Sequence, residues 1–219
     1  MRSDDTIAAI STPPGRGGIG IVRLSGPDSH NIAASLFRPE SNSNAAAPNR
    51  AQFGKVIDAR TAEIVDEAIL TCFKSPHSYT GEDVVEISCH GSPIILARVL
   101  QMAIDKGARV AEPGEFTFRA FFNRRIDLAQ AQAVRDLINA QTQYQARVAT
   151  KQLKGELSSR ITPLKDKLVA VIVHLESSVE FVEDDISPDT VAALIQKLGD
   201  VVDALTRIAR SFTFGRYVR

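Results

Sequence analysis

The sequence predicts an α+β domain of residues 1–122 followed by an all-α segment of residues 123–219. Two observations carry this. Residues 1–122 hold 10 of the 13 glycines and 8 of the 10 prolines of the 219-residue chain; such residues punctuate strands and short helices, and their scarcity permits long ones. Apolar residues also change period, from two in the first part to helical spacing in the second. With 44% hydrophobic and 24% charged residues the composition is that of a globular protein, which excludes wholesale disorder.

In chain order, Thr6–Ser11 and Ile19–Leu24 are short β-rich runs flanking the turn at Pro13-Pro14-Gly15. Asp28–Phe37 reads as a helix between Pro27 and Pro39, and Ser41 to Pro48 (SNSNAAAP) as a low-complexity loop. Ile64–Phe73 and Val84–His90 are strands by β-branched content. Pro93–Lys106 is an amphipathic helix ended by Gly107. Asp127 is placed to cap a helix with an apolar face of Leu128, Ala131, Val134, Leu137 and Ile138. A longer helix is expected from about Gln143 to Phe181, kinked or broken at Pro163. Pro188 opens the last, whose face is Val191, Leu194, Ile195, Leu198, Val201, Val202 and Leu205.

Charge separates into blocks: residues 123–167 carry 9 basic and 4 acidic side chains, 168–203 carry 1 and 8, and 204–219 carry 4 and 0. The formal net charge of zero therefore argues only against a chain-wide basic surface. Solvated helix faces account for the blocks; the sharper reading is an RNA-binding contribution from the basic one. Two cysteines, Cys72 and Cys89, make neither a disulfide framework nor a zinc site, and reduced intracellular thiols are expected. No signal peptide or membrane-length apolar run is seen, so a soluble, cytoplasmic protein is expected. Phe212, Phe214, Tyr217 and Val218 crowd the end of the sequence, and the expectation is a fragment or an end covered by something else.

Gly15-Arg16-Gly17-Gly18-Ile19-Gly20 matches the G-x-G-x-x-G pattern, but prolines precede it and a β-branched run follows. A dinucleotide site needs a strand before and a helix after, so that reading fails. No G-x-x-x-x-G-K-[ST] occurs, and His77 and His90 are too few for a metal cluster. Cys89-His90 reads as a buried thiol beside a strand-end imidazole. The period of two puts Glu86 on one face with Val84, Ser88 and His90, and Arg23 on one face with Ile19 and Ile21. An exposed strand face or an internal salt bridge explains both; the alternative is a polar ligand held on a sheet face.

Three stretches carry a resemblance: Thr12-Pro-Pro-Gly-Arg-Gly-Gly-Ile-Gly-Ile-Val-Arg23, then Ser78-Tyr-Thr-Gly-Glu-Asp-Val-Val-Glu86 with Cys89-His90-Gly91, then Pro113-Gly-Glu-Phe-Thr-Phe-Arg-Ala-Phe-Phe-Asn123 with Asp127-Leu-Ala-Gln-Ala131. From about Thr6 onward the chain resembles the N-terminal part of the MnmE (TrmE) family of tRNA modification GTPases. The resemblance implies a tetrahydrofolate-binding, aminomethyltransferase-like N-terminal domain that forms a homodimer. It also implies the first half of a helical domain interrupted by a Ras-like G domain. Its activity is the installation of carboxymethylaminomethyl-type groups on the wobble uridine of tRNA, together with MnmG, a flavin- and NADH-using partner. The one-carbon donor is 5-formyl- or 5,10-methylene-tetrahydrofolate; GTP, Mg and potassium belong to the G domain, so this chain alone is expected to lack GTPase activity. On the family's folate-site pattern Arg23 and Glu86 match directly, and Arg125 stands where a lysine is usual. A pterin presents an amidine-like N–H edge suited to Glu86, and the anionic tail suits Arg23 or Arg125. The alternative is a dimerisation module of the same fold that has lost folate binding.

Overall fold

A computed structural model describes residues 4–40, 49–180 and 188–216, with side chains left out for 178–180, 188–190 and 211–216. It divides into two compact units, Met1–Ile126 and Asp127–Arg219. The first holds β1 (Ile7–Ile10), β2 (Gly17–Ser25), α1 (Ser29–Leu36), β3 (Phe37–Pro39), β4 (Ala51–Ile57), β5 (Ile64–Phe73), β6 (Val84–Gly91), α2 (Pro93–Asp105), β7 (Arg109–Val110) and α3 (Glu115–Phe122). The second holds α4 (Leu128–Ile138), α5 (Gln143–Leu153), α6 (Glu156–Glu180) and α7 (Pro188–Arg216).

The strands form one seven-stranded sheet in the order β3-β4-β5-β6-β2-β1-β7, antiparallel except for the parallel β1–β7 pair. Alternation decides which face is covered. Val22 and Leu24, Val85, Ile87 and Cys89, and Ala68, Leu70 and Cys72 pack with Leu96, Val99 and Met102 of α2 and Ile32 and Leu36 of α1 in one core. Gly20 permits this approach, because a Cβ there would run into the Leu96 side chain. The opposite face stays open: Ile19 is 69% exposed, Phe53 47% and Ile69 44%. Arg23 and Glu86 lie on that open face.

The α+β unit followed by helices is the architecture the sequence predicts, and the differences have local causes. β4 was not expected, because Gly54 and Lys55 dilute its alternation; it forms by pairing along its whole length with β5. The predicted Gln143–Phe181 helix is two helices within the described residues, and the break is at Gly155 rather than Pro163. Gly155 takes a φ of +81°, which a side chain resists, and its N–H closes on the Gln152 carbonyl. Pro163 stays inside α6, where it forgoes one backbone bond. The SNSNAAAP segment, Phe181, and the side chains of Phe212, Phe214, Tyr217 and Val218 lie outside the described residues.

In the second unit Asp127 caps α4, accepting from the Gln130 N–H while Gln130 Oε1 accepts from the Asp127 N–H. Thr142 and Gln145 repeat the arrangement on α5. Gln130 also donates to the Leu153 carbonyl at 2.9 Å, and Ser158 to Asp127 at 2.6 Å, fastening α4 to the end of α5 and the start of α6. Among the described side chains, the apolar face of α7 is buried at Leu194 and Val201, while Ile195 and Val202 remain exposed.

Candidate functional site

Antiparallel register places Arg23 of β2 directly opposite Glu86 of β6. Side chains facing each other across such a pair meet on the same face. Arg23 Nε donates to Glu86 Oε1 at 2.8 Å, and Nη2 stands 2.7 Å from the same oxygen as its ion-pair partner. The side chains are 26% and 21% exposed, so the pair stands at the sheet surface in contact with solvent. Two aromatic rings adjoin it, with the Arg23 guanidinium carbon 5.6 Å from the Tyr79 ring centroid and 5.7 Å from that of Phe116.

Tyr79 comes from the loop before β6 and Phe116 from α3, and both supports are tied in place. Ser78 Oγ donates to the Glu82 carbonyl at 2.6 Å and Ser75 Oγ to the Gly81 carbonyl at 2.8 Å. Ser25 Oγ gives its one proton to Glu82 Oε2, so Thr80 must be the donor in the 2.7 Å Thr80–Ser25 bond. The Tyr79 and Thr117 hydroxyls are 2.9 Å apart, which joins the loop to α3. Asn123 Nδ2 donates to the Thr80 carbonyl from the end of α3.

Arg125 is not brought onto the Arg23–Glu86 pair by any contact shown. Its Nε donates to the Ser78 carbonyl at 3.1 Å, and its stem lies against Gly81. It thus holds the residue preceding Tyr79. Sequence reasoning singled out Arg23, Glu86 and Arg125; Tyr79, Phe116 and Thr117 were missed as site residues, although all three lie inside the motifs that carry the resemblance.

A second charged cluster lies behind the loop. Arg119 of α3, 5% exposed in its side chain, binds Asp5, Glu82 and the fully buried Glu115. Arg109 of β7 reaches Glu115 at 2.6 Å and Asp5 at 2.7 Å. Burial alone would push the Glu115 carboxyl up, but hydrogen bonds from Arg109, the Glu112 N–H and Arg119 hold it below the usual range. Asp5 is lowered chiefly by its hydrogen bond with Arg109. At the end of β6, Asp66 accepts from the His90 N–H at 2.8 Å and meets its Nδ1 at 2.7 Å. Burial, aided by Asp66, pushes the Cys89 thiol up to about 12, so it is an inert core thiol. Among the described residues no group of three or more His, Cys, Asp or Glu could hold a metal ion.

The model described as "GTP-binding protein TrmE N-terminus" matches residues 6–125, and that described as "MnmE helical domain" matches residues 128–219. The chain belongs to the MnmE (TrmE) family. It is 50% identical over 218 residues to the tRNA modification GTPase MnmE of Koribacter versatilis, covering 100% of this chain and 48% of that protein. Against the MnmE proteins of Acetivibrio thermocellus and Aquifex aeolicus the identity is 42% in each case, covering 100% and 98% of this chain and 48% and 47% of theirs. The chain therefore spans about half the length of the curated MnmE relatives it matches. Arg23, Glu86 and Arg125 fall within the TrmE N-terminal match. Among the described residues no helix is long and apolar enough to cross a membrane.

Proposed function

We propose that this chain is the N-terminal portion of a tRNA-modifying GTPase whose first unit binds a tetrahydrofolate one-carbon donor through Arg23 and Glu86. The observation that carries the reading is their pairing on the open sheet face beside Tyr79 and Phe116. These residues fit the cofactor. Glu86 is a carboxylate at the surface whose hydrogen bond and ion pair with Arg23 both fall on Oε1, leaving Oε2 for a second donor such as a pterin edge. The rings offer flat apolar surface to a flat ligand, and Arg23 offers charge to its anionic tail. Arg125 acts through the Ser78 carbonyl, as a positioning residue for the loop. When bound, the folate supplies the one-carbon unit; this chain's residues bind and orient it.

The finer roles belong to the same reading. The exposed Ile19, Phe53 and Ile69 on the open face support a homodimer through the first unit. Action on the tRNA wobble uridine with MnmG, in the cytoplasm, is part of the same proposal, and membership of a tRNA modification GTPase family supports it. No residue of this chain is assigned to GTP, Mg or potassium.

Calorimetry with 5-formyltetrahydrofolate tests the reading. We expect micromolar-range binding, weakened more than about tenfold in Glu86→Ala by loss of a paired hydrogen bond. A folded sample that binds no folate overturns it, and a dimer without ligand response would favour the assembly-module alternative.

A further inference from the structure

The way Arg23 occupies Glu86 suggests more than a static pair of ligand contacts. A guanidinium is a planar group presenting parallel N–H donors and a flat π-face. A 2-amino-4-oxopteridine presents the same outline, a cyclic guanidine edge on a flat ring. Arg23 thus offers Glu86 and the two aromatic side chains the chemistry that such a ring would offer.

The pair is also built to exchange. Arg23 Nε donates to Glu86 Oε1 and Nη2 stands against the same oxygen, whereas the strongest Arg–carboxylate geometry uses both oxygens in parallel. Both side chains touch solvent, where an ion pair contributes little. Tyr79 need not follow if Arg23 moves, since its hydroxyl is fixed to Thr117 and its loop to Ser25 and Asn123.

We propose that Arg23 is a built-in competitor: its guanidinium fills the place at Glu86, beside Tyr79 and Phe116, that a planar cyclic-guanidine ring takes, and the incoming ring displaces it toward the ligand's anionic tail. The inference rests on the folate reading above and assigns Tyr79 and Phe116 as specificity-determining residues. It makes recognition conditional on two features. A ligand with the ring but no anion displaces Arg23 without giving it a new partner, and one with the anion but no ring leaves Glu86 to Arg23.

The test compares 5-formyltetrahydrofolate with 6-methyltetrahydropterin, which keeps the ring and lacks the acidic tail, by calorimetry on the full 219-residue chain. In Arg23→Gln the tail-less pterin should bind about two- to fivefold tighter than in the parent, the strength of a solvent-exposed ion pair. The same variant should bind 5-formyltetrahydrofolate more weakly. Tyr79→Leu should weaken both ligands about threefold to tenfold. Thermal melts verify folding; should Arg23→Gln fail to fold, Arg23→Lys, which lacks the planar fork, is expected to change tail-less binding in the same direction.

Opposite signs for the two ligands would not arise from a purely structural role of Arg23. Tail-less binding that is unchanged or weaker in the folded variant overturns the inference, and leaves the folate reading standing if Glu86→Ala still weakens folate binding more than about tenfold. A parent chain that binds neither ligand overturns both.

Discussion

Two of the arginine–carboxylate assemblies in the first unit differ in everything except their chemistry. Arg119 lies between Asp5, Glu82 and Glu115, with its side chain 5% exposed and that of Glu115 fully buried. Arg23 faces Glu86 alone, at 26% and 21% exposure. In the first, Arg119 and Glu115 are surrounded by donors and acceptors and shielded from water, with the half-exposed Asp5 at the edge, so the buried centre has no spare capacity for a ligand. It joins the start of the chain, β7, α3 and the Glu82 loop into one body. In the second, one carboxylate oxygen is unused and solvent reaches both partners. Burial and spare hydrogen-bonding capacity, rather than residue type, separate a structural tie from a candidate site.

Removing one partner from each assembly should expose that difference most strongly. Arg119→Leu takes one of two guanidinium partners from the buried Glu115 and the arginine from Glu82. Breaking a buried pair costs about 3–5 kcal/mol, and the Arg109 and Glu112 bonds that Glu115 keeps put the expected loss at the lower end of that range. Urea denaturation should show a loss of that size. Glu86→Ala, by contrast, should change stability by no more than about 1 kcal/mol while changing folate affinity. If the two variants lose equal stability, the contrast between them fails.

Acid should act on the buried assembly next. Glu115 has its carboxyl held below the ordinary value of 4.5, so its contribution is present above that pH and is lost as pH falls through the lowered folded value. Urea midpoints measured from about pH 6 down to about pH 3 should therefore decline, and less steeply in Glu115→Gln, which no longer titrates there. A variant whose acid decline matches the parent would show that other carboxylates carry it.

How much of this was readable in the sequence depends on the range of the interactions concerned. Alternation in Ile19–Leu24 and Val84–His90 placed Arg23 and Glu86 off the core face, because a strand's period is local. The pairing itself needed β2 and β6 to be neighbours, 63 positions apart in sequence. Tyr79 and Phe116 look like ordinary core aromatics until α3 and the loop before β6 meet through Thr117. Arg119 sits in an aromatic-rich segment, and its partners are Asp5, Glu82 and Glu115, two of them far away in the chain. Arg125 was placed by motif alone; only the fold shows that it grips the Ser78 carbonyl. The break at Gly155 was hidden by the stronger apparent signal of Pro163, since a φ of +81° is permitted by glycine without being announced by it.

The smallest expected effect comes from the pair His90–Asp66, whose imidazole stands in solvent. His90 is raised above 6.5, first by its hydrogen bond with Asp66, then by that carboxylate's charge; the imidazole is 69% exposed, whereas the Asp66 side chain is only 9% exposed. A raised folded value means that the pair's contribution is fully present below about pH 6.5 and is lost as pH rises through the folded value. A ring-proton NMR titration should place the His90 transition above 6.5, and Asp66→Asn should bring it down. Stability between about pH 6 and pH 8 should fall slightly in the parent and lose that slope in His90→Gln. A transition at or below 6.5 would mean that solvent screens the pair completely. The gradient from the buried Glu115 assembly through Arg23–Glu86 to His90–Asp66 would then reach zero before its most exposed member.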